Sequence, residues 1–306
     1  MISTETNGDW TVKTQAVADR IRTRVLDHVL RHNGGYMSQA LSSAEIFAML
    51  YTRTLNLGPS TAPMIPQPFA GVPGRDNPDF FNGGEYNGPK APEYDRLIFS
   101  PAHYALVLYT TLIEVGRLTE EGLSQFDRDG STVEMIGAEH SPGVETTTGS
   151  LAQALSQAGG IALARKRRGD TGDVWVMMSD GEFQEGQIWE AIAEAAKFGL
   201  DNLKVIVDVN GQQCDGCMDA EAYVDPLTGR IRAFGASAVE VDGHDLDALD
   251  AAMRAETGKP HFVMALTDPV RGLPIFEERA PLLHYLRFAS DEERDRYQAA
   301  YEEMVN

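Results

Sequence analysis

The strongest constraint on the fold is an alternation of short apolar runs with helical patterns in the C-terminal two thirds of the chain. Apolar runs at 174–178, 205–209 and 261–266 predict strands, and apolar residues at helical spacing over 184–198 and 246–256 predict helices. Strands that alternate with helices form βαβ units and a mostly parallel sheet. We therefore expect an α/β fold with a doubly wound sheet flanked by helices.

Further elements extend this pattern in both directions. Ser42 or Ser43 is expected to cap the second helix of the chain. Residues 58–94 contain many Pro, Gly and Asn residues and little periodicity, which indicates a long surface loop. We interpret residues 1–306 as a single domain. The same patterns predict strands at 96–100 and 238–241 and helices at 14–32, 103–115, 119–126, 149–165 and 291–304.

The charge balance argues against a nucleic-acid surface. The chain has 26 Lys and Arg residues and 46 Asp and Glu residues, a net charge of −20. A phosphorylated ligand must therefore be held by backbone N–H groups, a metal ion or a few selected cations. The apolar runs are too short to span a bilayer, and the polar N-terminus lacks the features of a signal peptide. We expect a cytoplasmic protein that does not bind membranes.

The chain has two cysteines, Cys214 and Cys217, in C-x-x-C spacing. A zinc ribbon would need a second pair of ligands at similar spacing, and the sequence has none. A redox pair of the thioredoxin type remains an alternative, although the motif lies beside a turn rather than at the start of a helix. The simplest interpretation is two free thiols in a reducing compartment.

Polar residues follow two of the predicted strands. Asp180 follows the strand at 174–178, and Asn210 follows the strand at 205–209, 30 positions later. Neighbouring parallel strands would bring both side chains to the edge of the sheet where α/β proteins bind ligands. Carboxylate and amide oxygens suit Mg²⁺ or Ca²⁺, completed by water and phosphate. Gly181 permits close approach of a diphosphate to the backbone, and the next helix offers its positive end.

Four sequence blocks together resemble the transketolase family. The segment that begins at Ser179 is similar to the thiamine diphosphate (ThDP) motif, a G-D-G followed one strand–helix–strand unit later by Asn. The stretches at 33–36, 95–103 and 142–151 resemble transketolase segments and keep that family's order. The resemblance covers roughly residues 14–290. It implies the thiamine-diphosphate-binding fold, here the diphosphate domain.

The resemblance implies a set of ligands for the metal and the diphosphate. The side chains of Asp180 and Asn210 and the main-chain carbonyl of Gln212 are implied to bind Mg²⁺. Gly181 and Glu182 are implied to lie along the diphosphate of ThDP, together with Asp180 and Asn210.

Other residues are implied to act at the reacting end of the cofactor. The resemblance places His103 near the cofactor and the substrate, and His284 at a cofactor-facing position, both as catalytic residues. Gly149 and Leu151 are implied to border the aminopyrimidine. Glu185 is implied to take part in catalysis through a carboxylate network that crosses a subunit interface.

Three positions depart from the transketolase pattern. Ser179 replaces the first glycine of the G-D-G motif, and Tyr36 replaces a histidine. The G-H-P segment expected before Pro142 is missing, and His140 stands in its region. In transketolases these histidines handle sugar hydroxyls and proton transfers. Their loss weakens the case for an ordinary sugar phosphate as the substrate.

The resemblance also implies a partner. In the family, a Glu that activates ThDP belongs to a pyrimidine-binding domain that follows the diphosphate domain, and the chain ends at Asn306 without room for it. We therefore expect the N-terminal subunit of a two-component transketolase-like enzyme, assembled as a heterotetramer with a C-terminal subunit. The pair would transfer a two-carbon ketol unit from a donor to an aldehyde acceptor.

Alternatives remain open at this point. An E1-type component that decarboxylates 2-oxo acids shares the cofactor and the fold. A non-catalytic subunit that binds the cofactor would also keep these motifs. A dinucleotide-binding domain is disfavoured, because no G-x-G-x-x-G follows the first predicted strands.

Overall fold

The computed structural model describes residues 9–72, 74–78, 80–214, 216–218 and 227–305. Its centre is a five-stranded sheet in the order β1-β2-β3-β7-β6, and every neighbouring pair is parallel. This confirms the predicted α/β class with a parallel sheet. The strands are β1 (Arg96–Phe99), β2 (Val174–Ser179), β3 (Leu203–Val209), β6 (Ser237–Asp242) and β7 (His261–Leu266), and a short antiparallel hairpin adds β4 (Gln212–Gln213) and β5 (Gly216–Cys217).

Helices cover both faces of the sheet, as the doubly wound prediction requires. None of the described helices is long and apolar enough to cross a membrane. The helices are α1 (Asp9–His32), α2 (Met37–Met49), α3 (Ala105–Glu114), α4 (Glu120–Leu123), α5 (Gln153–Arg168), α6 (Gly186–Lys197), α7 (Leu227–Ala233), α8 (Leu246–Met253) and α9 (Asp291–Val305). Short 3₁₀ helices lie at Gly83–Asn87, Ala102–Tyr104, Asp180–Gln184 and Pro274–Arg279, and a π-helical turn at Leu50–Thr54.

The strands divide the core into two layers, because successive side chains of a strand point to opposite faces. In β2, Trp175 and Met177 pack with α1, α2, α3 and α8, whereas Val176 and Met178 pack with α5, α6 and α7. All six residues of β2 are buried. Each buried side chain of this size contributes roughly 1.5–3 kcal/mol. Burial on both faces explains why the strand is apolar throughout rather than alternating.

Two predicted helix starts were wrong. The second helix begins at Met37, and Ser42 and Ser43 lie buried inside it rather than capping it. Ser42 Oγ donates to Asp208 Oδ2 at 2.7 Å, so this serine serves a buried polar network. The helix predicted from 149 begins only at Gln153, because the preceding turn ends with Ala152 in the left-handed region at φ 73°.

Two further predictions need correction. The helix predicted at 119–126 is limited to Glu120–Leu123. The segment 58–94 is only partly a surface loop, because a 3₁₀ helix at Gly83–Asn87 buries Tyr86 completely. A Cβ on Gly83 would come within 1.7 Å of Ser141 O, so only glycine permits this close packing. The loop is thus anchored to the chain around residue 141.

Candidate functional site

Polar residues meet where the central strands end. Ser179 of β2 pairs in register with Asp208 of β3, so the residues that follow both strands emerge side by side. A cleft of about 280 Å³ opens at this edge. Its walls include the sequence-proposed residues His103, Gly149, Leu151, Gly181, Asn210, Gln212 and His284. The fold therefore gathers residues from distant segments into one place.

Asp180 connects the two strand ends at the base of this cleft. Its side chain is buried, Oδ1 accepts the N–H of Gly181 at 2.8 Å, and Oδ2 accepts the N–H of Gly211 at 2.8 Å. Asn210 Oδ1 accepts the N–H of Gln212 at 2.9 Å. One hydrogen bond thus joins Asp180 to the Asn210–Gln212 turn, as the sequence predicted for neighbouring strands.

These donors fit a magnesium ion that also binds a phosphorylated ligand. Among the described residues, no group of three His, Cys, Asp or Glu side chains could hold a metal ion. A metal beside Asp180 would depend on Asn210, the Gln212 carbonyl and oxygen atoms from water or ligand. Mg²⁺ commonly takes one or two carboxylates and completes its shell with water and phosphate. The single carboxylate therefore fits such an ion and does not fit a zinc site.

A network that the sequence analysis missed fixes the orientation of Asn210. Asn210 Nδ2 donates to Asp208 Oδ2 at 2.9 Å and to the hydroxyl of Tyr104 at 3.1 Å. An ionised carboxylate only accepts, so Asp208 keeps the amide nitrogen on its side and the amide oxygen on the other. The D-x-N spacing of Asp208 and Asn210 was visible in the sequence. What it could not show was that Tyr104, from a distant segment, joins this network.

Asp208 itself is fully buried and saturated with donors. Besides Asn210, it accepts hydrogen bonds from the hydroxyls of Ser42, Tyr104 and Thr267. Burial raises the pKa of Asp208, and these donors act in the opposite direction. Helix α2, the segment before α3 and the ends of β3 and β7 are thereby tied together beneath the cleft.

Glu182 is a second buried carboxylate below the cleft. Its Oε1 accepts the N–H of Ser179 at 2.9 Å, and its Oε2 accepts the N–H of Ala152 at 2.9 Å and the hydroxyl of Ser100. Burial raises the pKa of Glu182. These bonds fix the 149–152 turn, which carries two cleft residues. Contact between Glu182 and a diphosphate remains a prediction, and the structure places its carboxylate inside the protein.

Aromatic rings form the mouth of the cleft. The ring centroids of His103 and His284 are 5.1 Å apart, and Tyr36 lies 5.4 Å from each. Burial lowers the pKa of His103 to about 3 and also lowers the pKa of His284. Both imidazoles are therefore neutral at pH 7. The amide nitrogen of Gln39 lies 3.0 Å from His284 Nδ1 and can only donate, which places the proton of His284 on Nε2.

Two glycines leave space where a diphosphate would approach. A Cβ on Gly181 would meet no atom within 4 Å, and a Cβ on Gly149 would meet only Ile136 Cγ2, at 3.9 Å. Substitution would fill cleft space without a clash inside the protein. Together with the Mg²⁺-type donors, this open backbone fits the diphosphate of ThDP.

Some predicted residues lie away from the cleft. Glu185 is exposed at the start of α6, where the interface network would require it, and that role stays a prediction. His140 packs against Phe69 at 4.5 Å and lies 3.1 Å from Glu134 Oε2. It does not line the cleft, so among the described residues it does not replace the missing imidazole there. Cys214 and Cys217 are exposed free thiols, and Cys214 lies at the rim.

Comparisons with known proteins agree with this geometry. The family described as "Transketolase, thiamine diphosphate binding domain" matches residues 80–278. A transketolase family protein of Sinorhizobium fredii is 34% identical over 278 residues, covering 88% of this chain and 90% of that protein. An apulose-4-phosphate transketolase subunit of Actinobacillus succinogenes is 33% identical, covering 87% of this chain and 88% of that protein. The 6-deoxy-6-sulfo-D-fructose transketolase subunit SqwG of a Clostridium species is 30% identical, with the same shares.

Longer proteins match over part of their length. Human transketolase is 28% identical over 271 residues, which are 87% of this chain and 39% of that protein. The transketolase structure from Campylobacter jejuni superposes with a TM-score of 0.68 at 23% identity, covering 96% of this chain and 47% of that one. That likeness establishes the fold. With the family match and the equal-length relatives, it follows that the chain belongs to the transketolase family and carries that family's thiamine diphosphate-binding domain.

Proposed function

We propose that this chain is the N-terminal subunit of a two-component transketolase that transfers a two-carbon ketol unit with ThDP and Mg²⁺. The observation that carries the proposal is the junction of Asp180 with the Asn210–Gln212 turn at the base of a cleft with open glycine backbone. The relatives named as transketolase subunits match over nearly their full length, which supports the two-component arrangement.

In this proposal, the base of the cleft binds the cofactor. Asp180, Asn210 and the carbonyl of Gln212 hold Mg²⁺, and the backbone at Gly181 lies against the diphosphate. Bound ThDP supplies a nucleophilic carbon that accepts and passes on the ketol unit. Among the described residues, no Lys or Arg lines the cleft. The metal ion and the backbone N–H groups therefore carry most of the anion binding.

The neutral imidazoles serve the substrate side. His284 presents a proton on Nε2, because Gln39 occupies its Nδ1, and this N–H can donate to a substrate carbonyl or hydroxyl. His103 stays uncharged because burial lowers its pKa to about 3. Two neutral rings can exchange protons with hydroxyl groups without placing a fixed positive charge beside the metal. Leu151 borders the aminopyrimidine side of the cleft in the same arrangement.

A partner subunit completes the site. We propose that it carries the pyrimidine-binding domain and the Glu that activates ThDP, and that it covers the cleft and the exposed Glu185 at the start of α6. The proposed assembly is a heterotetramer. The donor is a ketose, and Tyr36 beside both histidines shapes its selection.

The test is a ketol-transfer assay of the chain reconstituted with its C-terminal partner, ThDP and Mg²⁺. We expect transfer from a ketose donor to an aldehyde acceptor, lost with Asp180→Ala and kept with Asp295→Ala, a substitution on the exposed face of α9. Release of CO₂ from a 2-oxo acid instead would identify an E1-type component. Metal-dependent ThDP binding without either reaction would identify a non-catalytic subunit.

A further inference from the structure

A second cleft lies away from the cofactor site. It has a volume of about 500 Å³ and is lined by α1, the end of α3, the α4 region and α9, and it shares no lining residue with the first cleft. We refer to it as the arginine cleft. Its polar lining includes Arg20, Arg24, Arg31, Arg128, His28 and His32.

A buried carboxylate holds two of these arginines side by side. The Nε atoms of Arg20 and Arg24 each donate to one oxygen of Glu114, whose side chain is 5% exposed. Arg31 likewise uses Nε, to Asp27 Oδ1 at 2.9 Å. Both bonds use Nε, and the side chains of Arg20 and Arg31 remain 52% and 70% exposed. A guanidinium has five N–H donors, so these arginines keep donors that can bind an oxyanion.

The arginine cleft is cationic in an acidic protein. Four arginines line it with three carboxylates, Asp27, Glu114 and Glu120, so one positive charge remains. Arg128 also lines the cleft and is exposed. The chain as a whole has a net charge of −20. A local excess of arginine in such a chain favours an anionic ligand.

One wall of the cleft is flat and has an unsatisfied polar atom. His28 is 4% exposed, and its Nε2 has no hydrogen-bond partner among the described residues. Its ring stacks on His32 at 4.1 Å with an interplanar angle of 23°, and Phe126 packs on it at 4.6 Å. Burial lowers the pKa of His28 to about 3, so the ring is neutral. The buried His28 ring supports His32, whose exposed ring forms the surface of this wall.

We propose that the arginine cleft binds a small phosphate monoester with a flat or apolar body. The terminal nitrogens of Arg20 and Arg31, with Arg128, bind the phosphate oxygens. The body lies against the exposed ring of His32, which stacks on the buried ring of His28. A phosphate offers three oxygens to this set, whereas a carboxylate would leave part of it unused.

The test is a calorimetric titration of the folded chain with phenyl phosphate, whose ring and phosphate match the two parts of the cleft. We expect saturable binding that Arg128→Ala and Arg20→Gln each weaken about tenfold, the loss typical of a charged hydrogen bond. Arg167→Ala, at an exposed position of α5 on the opposite layer, is the matched control and should change nothing. Asp180→Ala should also leave this binding intact.

Inorganic phosphate separates the proposed ligand class from simple anion binding. We expect it to bind at least about tenfold more weakly than phenyl phosphate, because it lacks a body to bury against the rings. Equal affinity for the two anions, absence of saturation, or an equal loss with Arg167→Ala would overturn the proposal. His32→Ala removes an exposed ring, so it should keep the fold and lower the preference for the aryl ester over inorganic phosphate.

Discussion

The carboxylates buried beneath the cofactor cleft and the groups that line it are built on different principles. Beneath the cleft, Asp208 and Glu182 are fully buried, and donors of the protein itself surround both carboxylates. At the mouth, His103 and His284 pack against Tyr36, and the Nε2 proton of His284 is available to a ligand. Saturated groups hold a shape, whereas groups with remaining hydrogen-bonding capacity bind ligands. Substitutions of the buried carboxylates should therefore reduce stability, and substitutions of cleft-lining groups should reduce binding.

Substitution of Asp208 should cause the largest loss of stability. Asp208→Ala leaves the hydroxyls of Ser42, Tyr104 and Thr267 without their common acceptor. We expect a loss of about 3–5 kcal/mol in the free energy of unfolding, because buried donors keep their desolvation cost. Chemical denaturation measures it, with Asp295→Ala as the exposed control. An unchanged midpoint for Asp208→Ala would contradict the assigned role.

Substitution of Glu182 tests whether the second buried carboxylate also stabilises the surrounding structure. Glu182→Gln keeps the volume but replaces one acceptor oxygen by a donor, which must face Ser179 N–H or Ala152 N–H. We expect a loss of about 2 kcal/mol in the free energy of unfolding. The turn that carries Gly149 should become more accessible, measurable as faster amide exchange at 149–152. Unaltered exchange there would show that the turn does not depend on Glu182.

His103 should make the stability of the protein depend on pH. Its pKa is lowered to about 3 in the folded protein, so between about pH 6.5 and 3 the unfolded chain binds a proton that the folded protein does not. Stability is therefore complete above about pH 6.5 and falls with acid, by at most about 1.4 kcal/mol per pH unit. His103→Gln should reduce that slope in denaturation curves measured from pH 7 to 5. A slope equal to that of the unsubstituted chain would show that His103 titrates normally.

Substitution of Gly181, which lines the cleft, should have the smallest effect on stability and still weaken ThDP binding. Gly181→Ala adds a methyl group that meets no atom within 4 Å, so we expect the free energy of unfolding to change by less than about 1 kcal/mol. The same methyl group occupies space along the diphosphate, and ThDP affinity should fall about tenfold or more. If Gly181→Ala lost stability but bound ThDP normally, Gly181 would have a structural role and no role in binding.

The sequence predicted the sheet well because its strands are buried on both faces and read as unbroken apolar runs, as in β2. It also predicted that Asp180 and Asn210 lie together at one edge of the sheet, since each directly follows such a strand. It failed where tertiary contacts override local patterns. Ser42 is of a residue type that often caps helices, but it lies inside α2 and donates a hydrogen bond to Asp208, which is distant in sequence.

The same limitation applies to the rest of the cleft. Tyr36 was identified as a departure from the family pattern, but its position beside both His103 and His284 depends on segments far apart in the chain. The long loop at 58–94 was predicted to lie on the surface because it contains many Pro, Gly and Asn residues and little periodicity. Its buried Tyr86 lies in a 3₁₀ helix anchored by close glycine packing, which leaves no periodic signal.

Calorimetric titration of ThDP into the reconstituted complex, first with Mg²⁺ and then with EDTA, tests the central claim most directly. The account predicts saturable binding that requires the metal, is abolished by Asp180→Ala and is retained by Asp295→Ala. Binding that persists in EDTA, or that survives Asp180→Ala, would contradict the assignment of the strand-end site to the metal and the diphosphate.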